Sequence, residues 1–581
     1  MQKRITQRSF DLSQCQFSDS LSPVLQRIYA ARGVSEEKQL NHSLQALLSF
    51  TSFKGIERAV EIIAEAIEAQ QQILIVGDFD ADGATSSALA VLALNALGAE
   101  KVNYLVPNRF EYGYGLSPEI VVEALKYQPE LIITVDNGIS SIAGVEFAKE
   151  QGIKVVVTDH HLAGAELPQA DAIVNPNQPG CDFPSRNPAG VGVIFYVMVA
   201  LRQHLRERGW FANRLEPNMA NFLDIVALGT VADVVPLDDN NRILVQQGLK
   251  RIRAGKARPG ILALIEVAGR HREQLVATDL GFAVGPRLNA AGRLDDMSLG
   301  IECLLTNDHQ RAREIAFQLD ELNRDRKQIE SDMQQQALTE LQRLQLDQEE
   351  QLPTGICLFD AAWHQGVIGI LAARIKERTH RPVIAFAEGD NGEIKGSARS
   401  IPGFHIRDAL DIVDKKYPEL IIKFGGHAMA AGLSIKHENF AAFSQAFQEV
   451  AASQLTKEQL EAEVLTDGEL GCHEINLYLA SLIREAGPWG QHFPEPVFQG
   501  NFQVIQQRIV GEKHLKLLVK HLSGELFVDA IAFNIDLAVW PDQSIAQVKL
   551  AYRLDVNYFR GKQNLQLMVE YIEPVKPSLT N

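Results

Sequence analysis

Three short runs of branched apolar residues punctuate the first third of the chain: Ile73 to Gly77, Leu131 to Val135 and Ile153 to Thr158. Each is bounded by polar residues, which predicts a buried strand. Stretches such as Ala84 to Leu97 and Ser140 to Glu150 follow them with apolar residues at helical spacing. Strands alternating with amphipathic helices predict a parallel sheet covered on both faces. In open sheets of this kind ligands bind in the crevice beyond the carboxyl ends of the strands. What stands immediately after each strand therefore carries the functional information.

The same pattern divides the rest of the chain. Residues 1–45 read as a short helical leader and 46–306 as the α/β unit. From Asp308 to Leu346 there is no glycine or proline, and Ile315, Leu319, Leu322, Ile329, Met333, Leu338, Leu341 and Leu344 recur mostly three or four apart. This predicts one long connecting helix within 307–352. A second α/β unit occupies 353–453, opening with GICLFD and carrying WHQGVIG, KGSARS and FGGHAMAAG. In 457–575 the segments NFQVIQQRIV, HLKLLVKHL, ELFVDAIAF, QVKLAYRLDV and NLQLMVEYI alternate apolar and polar residues. Five such strands predict a small β-barrel of the OB-fold type. A chain of 581 residues with 46% hydrophobic residues is too long for one core and has apolar material for about three.

Acidic residues and histidines collect at the ends of the predicted strands. Asp78, Asp80 and Asp82 follow ILIVG, Asp136 follows LIITV, Asp159-His160-His161 follow KVVVT, and Asp233 ends GTVAD, a stretch with no derivable strand. Taken singly, each has an ordinary explanation: a helix cap for DFDADG, an Asx turn for Asp136-Asn137-Gly138, a solvated loop for the histidines. Taken together they converge on one crevice. Carboxylates repel one another, so such a cluster calls for divalent cations.

Bulk properties narrow the setting. A net charge of −17 argues against coating duplex DNA by global electrostatics, while leaving room for a locally basic groove. Five cysteines without CxxC spacing argue against a disulfide framework or zinc ribbon. MQKRITQRSF has no apolar targeting core, and Val191 to Leu201 is too short to span a bilayer, so it reads as a buried helix. The expectation is a cytoplasmic protein without membrane partners.

DFDADG, DNG, TDHH and GTVADVVPL resemble the four motifs of the DHH phosphoesterase superfamily, whose name is the Asp159-His160-His161 triplet. VPNRFEYGYGLS, GFAVGPRLNAAGRL, WHQGVIGILAARI, KGSARS and GGHAMAAG are similar to segments of its bacterial single-strand-specific exonucleases, and the likeness covers nearly the whole chain. The resemblance implies two Mn²⁺ or Mg²⁺ ions bridged by Asp136, with Asp80 on one and Asp82, His160 and Asp233 on the other. Asp78 and Asp159 would be outer or alternate ligands, and His161 would face the scissile phosphate. The implied activity is 5′→3′ degradation of single-stranded DNA to 5′-mononucleotides in repair and recombination. The implied setting is a monomer working beside single-strand-binding protein and a recombination helicase.

Polarity requires a pocket for a chain end. Arg109, Arg287, Asn289, Arg293, Ser397, Arg399 and His427 stand in glycine-punctuated polar segments suited to phosphate contacts, which the resemblance raises above ordinary surface pairing. Lys513, Lys516, Tyr558, Arg560 and Lys562 mix cations and aromatics on the barrel, a composition that tracks a backbone and stacks bases. The competing readings are an oligonucleotide or cyclic-dinucleotide phosphodiesterase, an inorganic pyrophosphatase, and a non-catalytic single-strand-binding scaffold.

Overall fold

The computed structural model describes residues 3–107, 115–343, 352–389, 392–535, 537, 539–559 and 561–575. In chain order β1 (Lys3–Gln7) precedes the first unit, whose strands are β2 (Ile73–Val76), β3 (Val102–Leu105), β4 (Leu131–Val135), β5 (Lys154–Thr158) and β6 (Ala172–Val174). They form a parallel sheet in the order β3-β2-β4-β5-β6. Every residue of β2 and β4 is buried, as expected of branched runs covered on both faces. The order reverses at β2, whose neighbours are β3 and β4, so a crevice opens beyond the ends of β2 and β4. Asp78 to Asp82 leave one of these strands and Asp136 leaves the other.

The helix after β2 begins at Ala81, three residues earlier than its apolar pattern suggests, because the Asp80 carboxylate caps it by accepting from the Asp82 and Gly83 amides at 2.9 and 3.0 Å. Gly83 lies inside that helix and does not form a turn. Its hydrogen admits the Asp78 carbonyl, which a Cβ would meet at 2.3 Å. The apolar run from Val191 is a buried helix, Gly190–Glu207.

The long helix runs from His309 to Arg343 and serves two cores. Ala312, Ile315, Ala316 and Leu319 pack into the first unit, while Met333 and Ala337 pack under the second. The second unit holds β7 (Ile356–Phe359), β8 (Val383–Glu388), β9 (Glu393–Arg399), β10 (Lys423–Gly426) and β11 (Ala430–Lys436), ordered β10-β11-β9-β8-β7. Only its β7–β8 pair is parallel.

After β12 (Ala462–Thr466) come the five alternating segments as β13 (Phe498–Val510), β14 (His514–His521), β15 (Phe527–Ala532), β16 (Gln547–Phe559) and β17 (Lys562–Pro574). They close into a barrel in the order β13-β14-β15-β17-β16. The first 45 residues contain a helix, Pro23–Ala30, yet they are not simply a helical leader. β1 pairs in parallel with β12, Lys3 opposite Ala462, and Arg32 forms a fully buried bidentate pair with Asp467 at 2.6 and 3.1 Å. That partner lies more than 400 residues away, beyond any local pattern. Among the described residues no helix is long and apolar enough to cross a membrane.

Candidate metal centre

Acids from three segments and a histidine from a fourth meet at the crevice. Asp78, Asp80 and Asp136 offer ligand atoms within 4.8 Å of one another, and so do Asp82, His160 and Asp233. The two groups touch through His160, whose Nε2 lies 3.1 Å from Asp136 Oδ1, 3.6 Å from Asp233 Oδ2 and 3.9 Å from Asp82 Oδ2. Asp233 follows no strand. It caps the C-terminus of the helix Leu223–Ala232, and only packing of that helix against the sheet brings it here. Asp136 and Val234 both hold left-handed backbone, φ 62° and 64°, which is strained for a branched residue such as Val234.

The backbone shapes the nest as much as the acids do. The amides of Gly190 and Val191, at the positive end of the buried helix, donate to Asp82 Oδ2 and Oδ1 at 2.6 and 2.9 Å. A Cβ at Gly190 would fall 2.6 Å from the Asp136 side chain, and one at Gly292 would fall 1.7 Å from the Phe79 carbonyl. Neither glycine was singled out from sequence. The signal for Gly190 was present in AGVGVIF, where two glycines open an otherwise apolar run, and Gly292 stands within GFAVGPRLNAAGRL.

Burial and mutual repulsion raise the acids. Asp82 is pushed up to about 7 by burial and then by the charge of Asp233, and Asp233 to about 7 by burial and Asp80. Asp136 is raised well above the carboxylate range by burial and by Asp82, Asp80, Asp233 and Asp78, all of the same sign. His160 is held neutral-leaning, its pKa lowered by burial and by the His161 charge. Carboxylate oxygens crowded against one neutral imidazole form a donor set that fits hard divalent cations, whose charge reverses this repulsion.

Asp159 takes a different place. Its Oδ1 accepts from the amides of His160 and His161 at 2.7 and 3.1 Å and meets His161 Nδ1 at 2.8 Å, while Oδ2 accepts from the Ile139 amide at 2.9 Å. Burial pushes this carboxyl up, but the His161 hydrogen bond and charge prevail and hold it low. Burial likewise lowers His161, yet the bond to Asp159 and the surrounding acids raise it to about 9. Asp159 thus orients the triplet instead of joining either acidic group.

The second unit reaches the same crevice. His427 stacks near His161, ring centroids 6.4 Å apart. Arg293 donates to the Gly366 carbonyl at 3.1 Å across the two units. Arg399 donates to Ser397 Oγ at 3.1 Å and the Ala398 carbonyl at 2.8 Å, and it has no carboxylate partner among the described residues. Burial lowers its pKa, and Gly369 clears its space, since a Cβ there would stand 2.8 Å from the guanidinium. Two expected phosphate contacts are engaged elsewhere. Arg287 is buried against Asp320 of the long helix at 2.7 Å, and Asn289 accepts from the Ala81 amide at 2.8 Å, bracing the DFDADG loop. Arg109 and Arg560 lie outside the described residues.

On the barrel, Lys513 precedes β14, and Lys516 within β14 pairs with Asp529 of β15 at 3.2 Å. Tyr558 and Lys562 flank the β16–β17 hairpin. Tyr558 sits under Arg484, 5.7 Å from ring centre to guanidinium.

Comparison with known proteins agrees with this arrangement. Residues 72–230 match the DHH family, N-terminal domain, residues 353–453 the DHHA1 domain, and residues 466–571 the RecJ OB domain. The single-stranded-DNA-specific exonuclease RecJ of Dickeya dadantii is 57% identical over 97% of this chain and 98% of its own. The protein of the same name from Escherichia coli is 55% identical over 96% of each. A crystal structure of RecJ in complex with Mn²⁺ from Thermus thermophilus superposes with a TM-score of 0.81 at 29% identity, covering 99% of this chain and 79% of that one. A structure of exonuclease RecJ bound to manganese, 35% identical, covers 70% of this chain and 96% of that one with a TM-score of 0.58. With near-complete coverage at such identity, and matches to the DHH, DHHA1 and RecJ OB domains along its length, this chain belongs to the RecJ family of DHH phosphoesterases.

Proposed function

We infer that this chain is a single-stranded-DNA-specific exonuclease that uses Mn²⁺ or Mg²⁺ and degrades its substrate 5′→3′ to 5′-mononucleotides. The observation that carries the reading is the pair of acidic groups joined through Asp136 and His160. Asp78, Asp80 and Asp136 would hold one cation and Asp82, His160 and Asp233 the other, with Asp136 between them. Bound there, divalent cations supply a hydroxide nucleophile at neutral pH and neutralise charge building on the phosphoryl oxygens.

The chain's own residues do the rest. Asp159 keeps His161 protonated, so the imidazolium faces the scissile phosphate as a charged donor and gives its proton to the 3′-oxygen as the P–O3′ bond breaks. The released nucleotide keeps its 5′-phosphate, and the shortened strand carries a new one. Ser397 and Arg399, a desolvated cation with no carboxylate partner among the described residues, suit the terminal 5′-phosphate and so set polarity. Arg293 and His427 close the crevice around the strand, and Lys513, Lys516, Tyr558, Arg560 and Lys562 would extend the contact onto the barrel. The family setting extends to a cytoplasmic monomer acting with single-strand-binding protein and a recombination helicase in repair and recombination.

One assay tests the reading. The protein is incubated with Mn²⁺ and labelled single-stranded DNA, duplex DNA, pyrophosphate or a cyclic dinucleotide. Single strands should be consumed from the 5′ end, and preferential loss of any other substrate overturns the assignment.

A further inference from the structure

The helix Gly285–Leu294 touches both α/β units. Its first half is fixed to the long connecting helix by the buried pair of Arg287 and Asp320 at 2.7 Å. Leu288 and Ala291 pack into the first core, whereas Leu294 packs against the core of the second unit. On one side this helix holds the metal-bearing loop. Asn289 Oδ1 accepts from the Ala81 amide at 2.8 Å. That amide opens the helix Ala81–Leu97, and the Asp80 carboxylate capping it is already occupied by the Asp82 and Gly83 amides at 2.9 and 3.0 Å. Asn289 thus supplies the acceptor that the cap cannot. Close by, Gly292 lies so near the Phe79 carbonyl that a Cβ would fall 1.7 Å from its oxygen. The Phe79 carbonyl and the Ala81 amide belong to the two peptide groups on either side of Asp80. The helix therefore fixes the backbone of Asp80, φ −115° and ψ −174°, and with it the direction of one carboxylate in the Asp78, Asp80 and Asp136 group.

The next residue of the same helix meets the second unit. Arg293 Nη1 donates to the Gly366 carbonyl at 3.1 Å, and a Cβ on Gly366 would fall 2.4 Å from the Arg293 carbonyl. Gly366 stands in the turn before the helix Ile368–Thr379, and Val367 and Ile368, which follow it, are buried in the second unit's core. Glycine at 292 and at 366 brings backbone against backbone in both contacts, so no pliant side chain is there to absorb a small displacement. A shift of the second unit at Gly366 is passed to Phe79 and Ala81 through about one turn of a rigid element.

We propose that Asn289 is a positioning residue for Asp80, and that the helix Gly285–Leu294 makes cation affinity at Asp78, Asp80 and Asp136 depend on how the second unit is seated. The closed arrangement of the two units is then also the one that holds this cation best. By linkage, cation binding favours that arrangement in return. The inference rests on the two-ion reading of the centre. It adds a route by which a unit that contributes no residue to either acidic group governs one of the ions.

The test uses the full-length protein without DNA and Mn²⁺ alone, with affinity read by calorimetry and by the electron paramagnetic resonance of the free ion. Asn289→Ala should weaken one of the two ions about ten- to a hundredfold and leave the other within about threefold. Asn289→Asp keeps an acceptor oxygen for the Ala81 amide and should restore the affinity. Gly366→Ala should weaken the same ion about tenfold, and Leu294→Ala, which loosens the same seat without a clash, should weaken it less. In the Asn289→Ala background Gly366→Ala should add little, because the route is already cut. Urea unfolding in EDTA shows which variants are folded. Parent-like affinity in Asn289→Ala, or a loss that Asn289→Asp does not restore, overturns the positioning role. Parent-like affinity in both Gly366→Ala and Leu294→Ala, or losses that add fully to that of Asn289→Ala, overturns the relay. Failure of the parent itself to bind two Mn²⁺ ions overturns the two-ion reading instead.

Discussion

His161 and His427, contributed by different α/β units, face one another with ring centroids 6.4 Å apart and planes inclined by 24°. His161 is charged, raised to about 9, whereas burial and the charge of His161 lower His427. The second unit therefore presents a neutral imidazole to a cationic one at the rim of the acidic nest. Replacing His427 with alanine should lower kcat/KM on single strands about ten- to hundredfold, the cost of losing a positioned polar group in a closed site. Metal affinity, followed by calorimetry, should stay unchanged. A loss of metal affinity of the same size would place His427 in the nest itself.

Asp136→Asn and Asp82→Asn remove one charge from a group of like charges. Each should cost at least about a thousandfold in metal-dependent turnover. In EDTA Asp136→Asn should leave thermal stability equal to or above the parent, because the repulsion raising these acids is relieved, whereas Asp82→Asn should lower it, because its amide group would face the Gly190 or Val191 N–H. Parent-like turnover would remove these residues from the centre.

The metal-free chain should grow less stable as pH rises from about 4 to about 7. Asp82 and Asp233 bind protons more tightly when folded, so unfolding releases protons throughout that window and stability falls with pH. His161 acts with the opposite charge. Its stabilising pair with Asp159 is fully present below its unfolded pKa and is lost as pH passes about 9. Saturating Mn²⁺ should flatten the lower window and add about 2.7 kcal/mol for each bound ion at a hundredfold excess over its Kd. Scanning calorimetry across pH, with and without the ion, measures both effects.

Arg399→Ala should reduce discrimination between 5′-phosphate and 5′-hydroxyl strands, with about 1.5–3 kcal/mol lost on the phosphorylated one. Competition between the two labelled substrates reads this directly. Undiminished preference would assign end recognition elsewhere.

Arg32→Ala should cost about 3–5 kcal/mol in urea unfolding, since it strands Asp467, whose side chain is 1% exposed. Replacing both partners by apolar residues should recover much of that loss. An equal loss in the double variant would show that the two residues act separately.

Local pattern was enough for much of this molecule. Branched runs at residues 73, 131 and 153 became β2, β4 and β5, the glycine-free stretch became one helix, and all five alternating segments became barrel strands. Each depends on side-chain periodicity within a few turns or a few strand residues, which a sequence displays openly. The acids after β2 and β4 were likewise legible, because parallel strands send their carboxyl ends to one edge of a sheet.

What sequence could not supply were relationships set by packing between distant segments. Asp233 reaches the nest from a helix end. Asp159 orients the histidines through hydrogen bonds, and Arg287 is taken up by Asp320. The Gly190 amide completes the surroundings of Asp82, and β1 finds its partner at β12. Residue type named the chemistry these groups could perform, whereas which carboxylate meets a cation, an imidazole or an arginine was decided by distances of 2.6 to 3.9 Å between segments far apart in the chain.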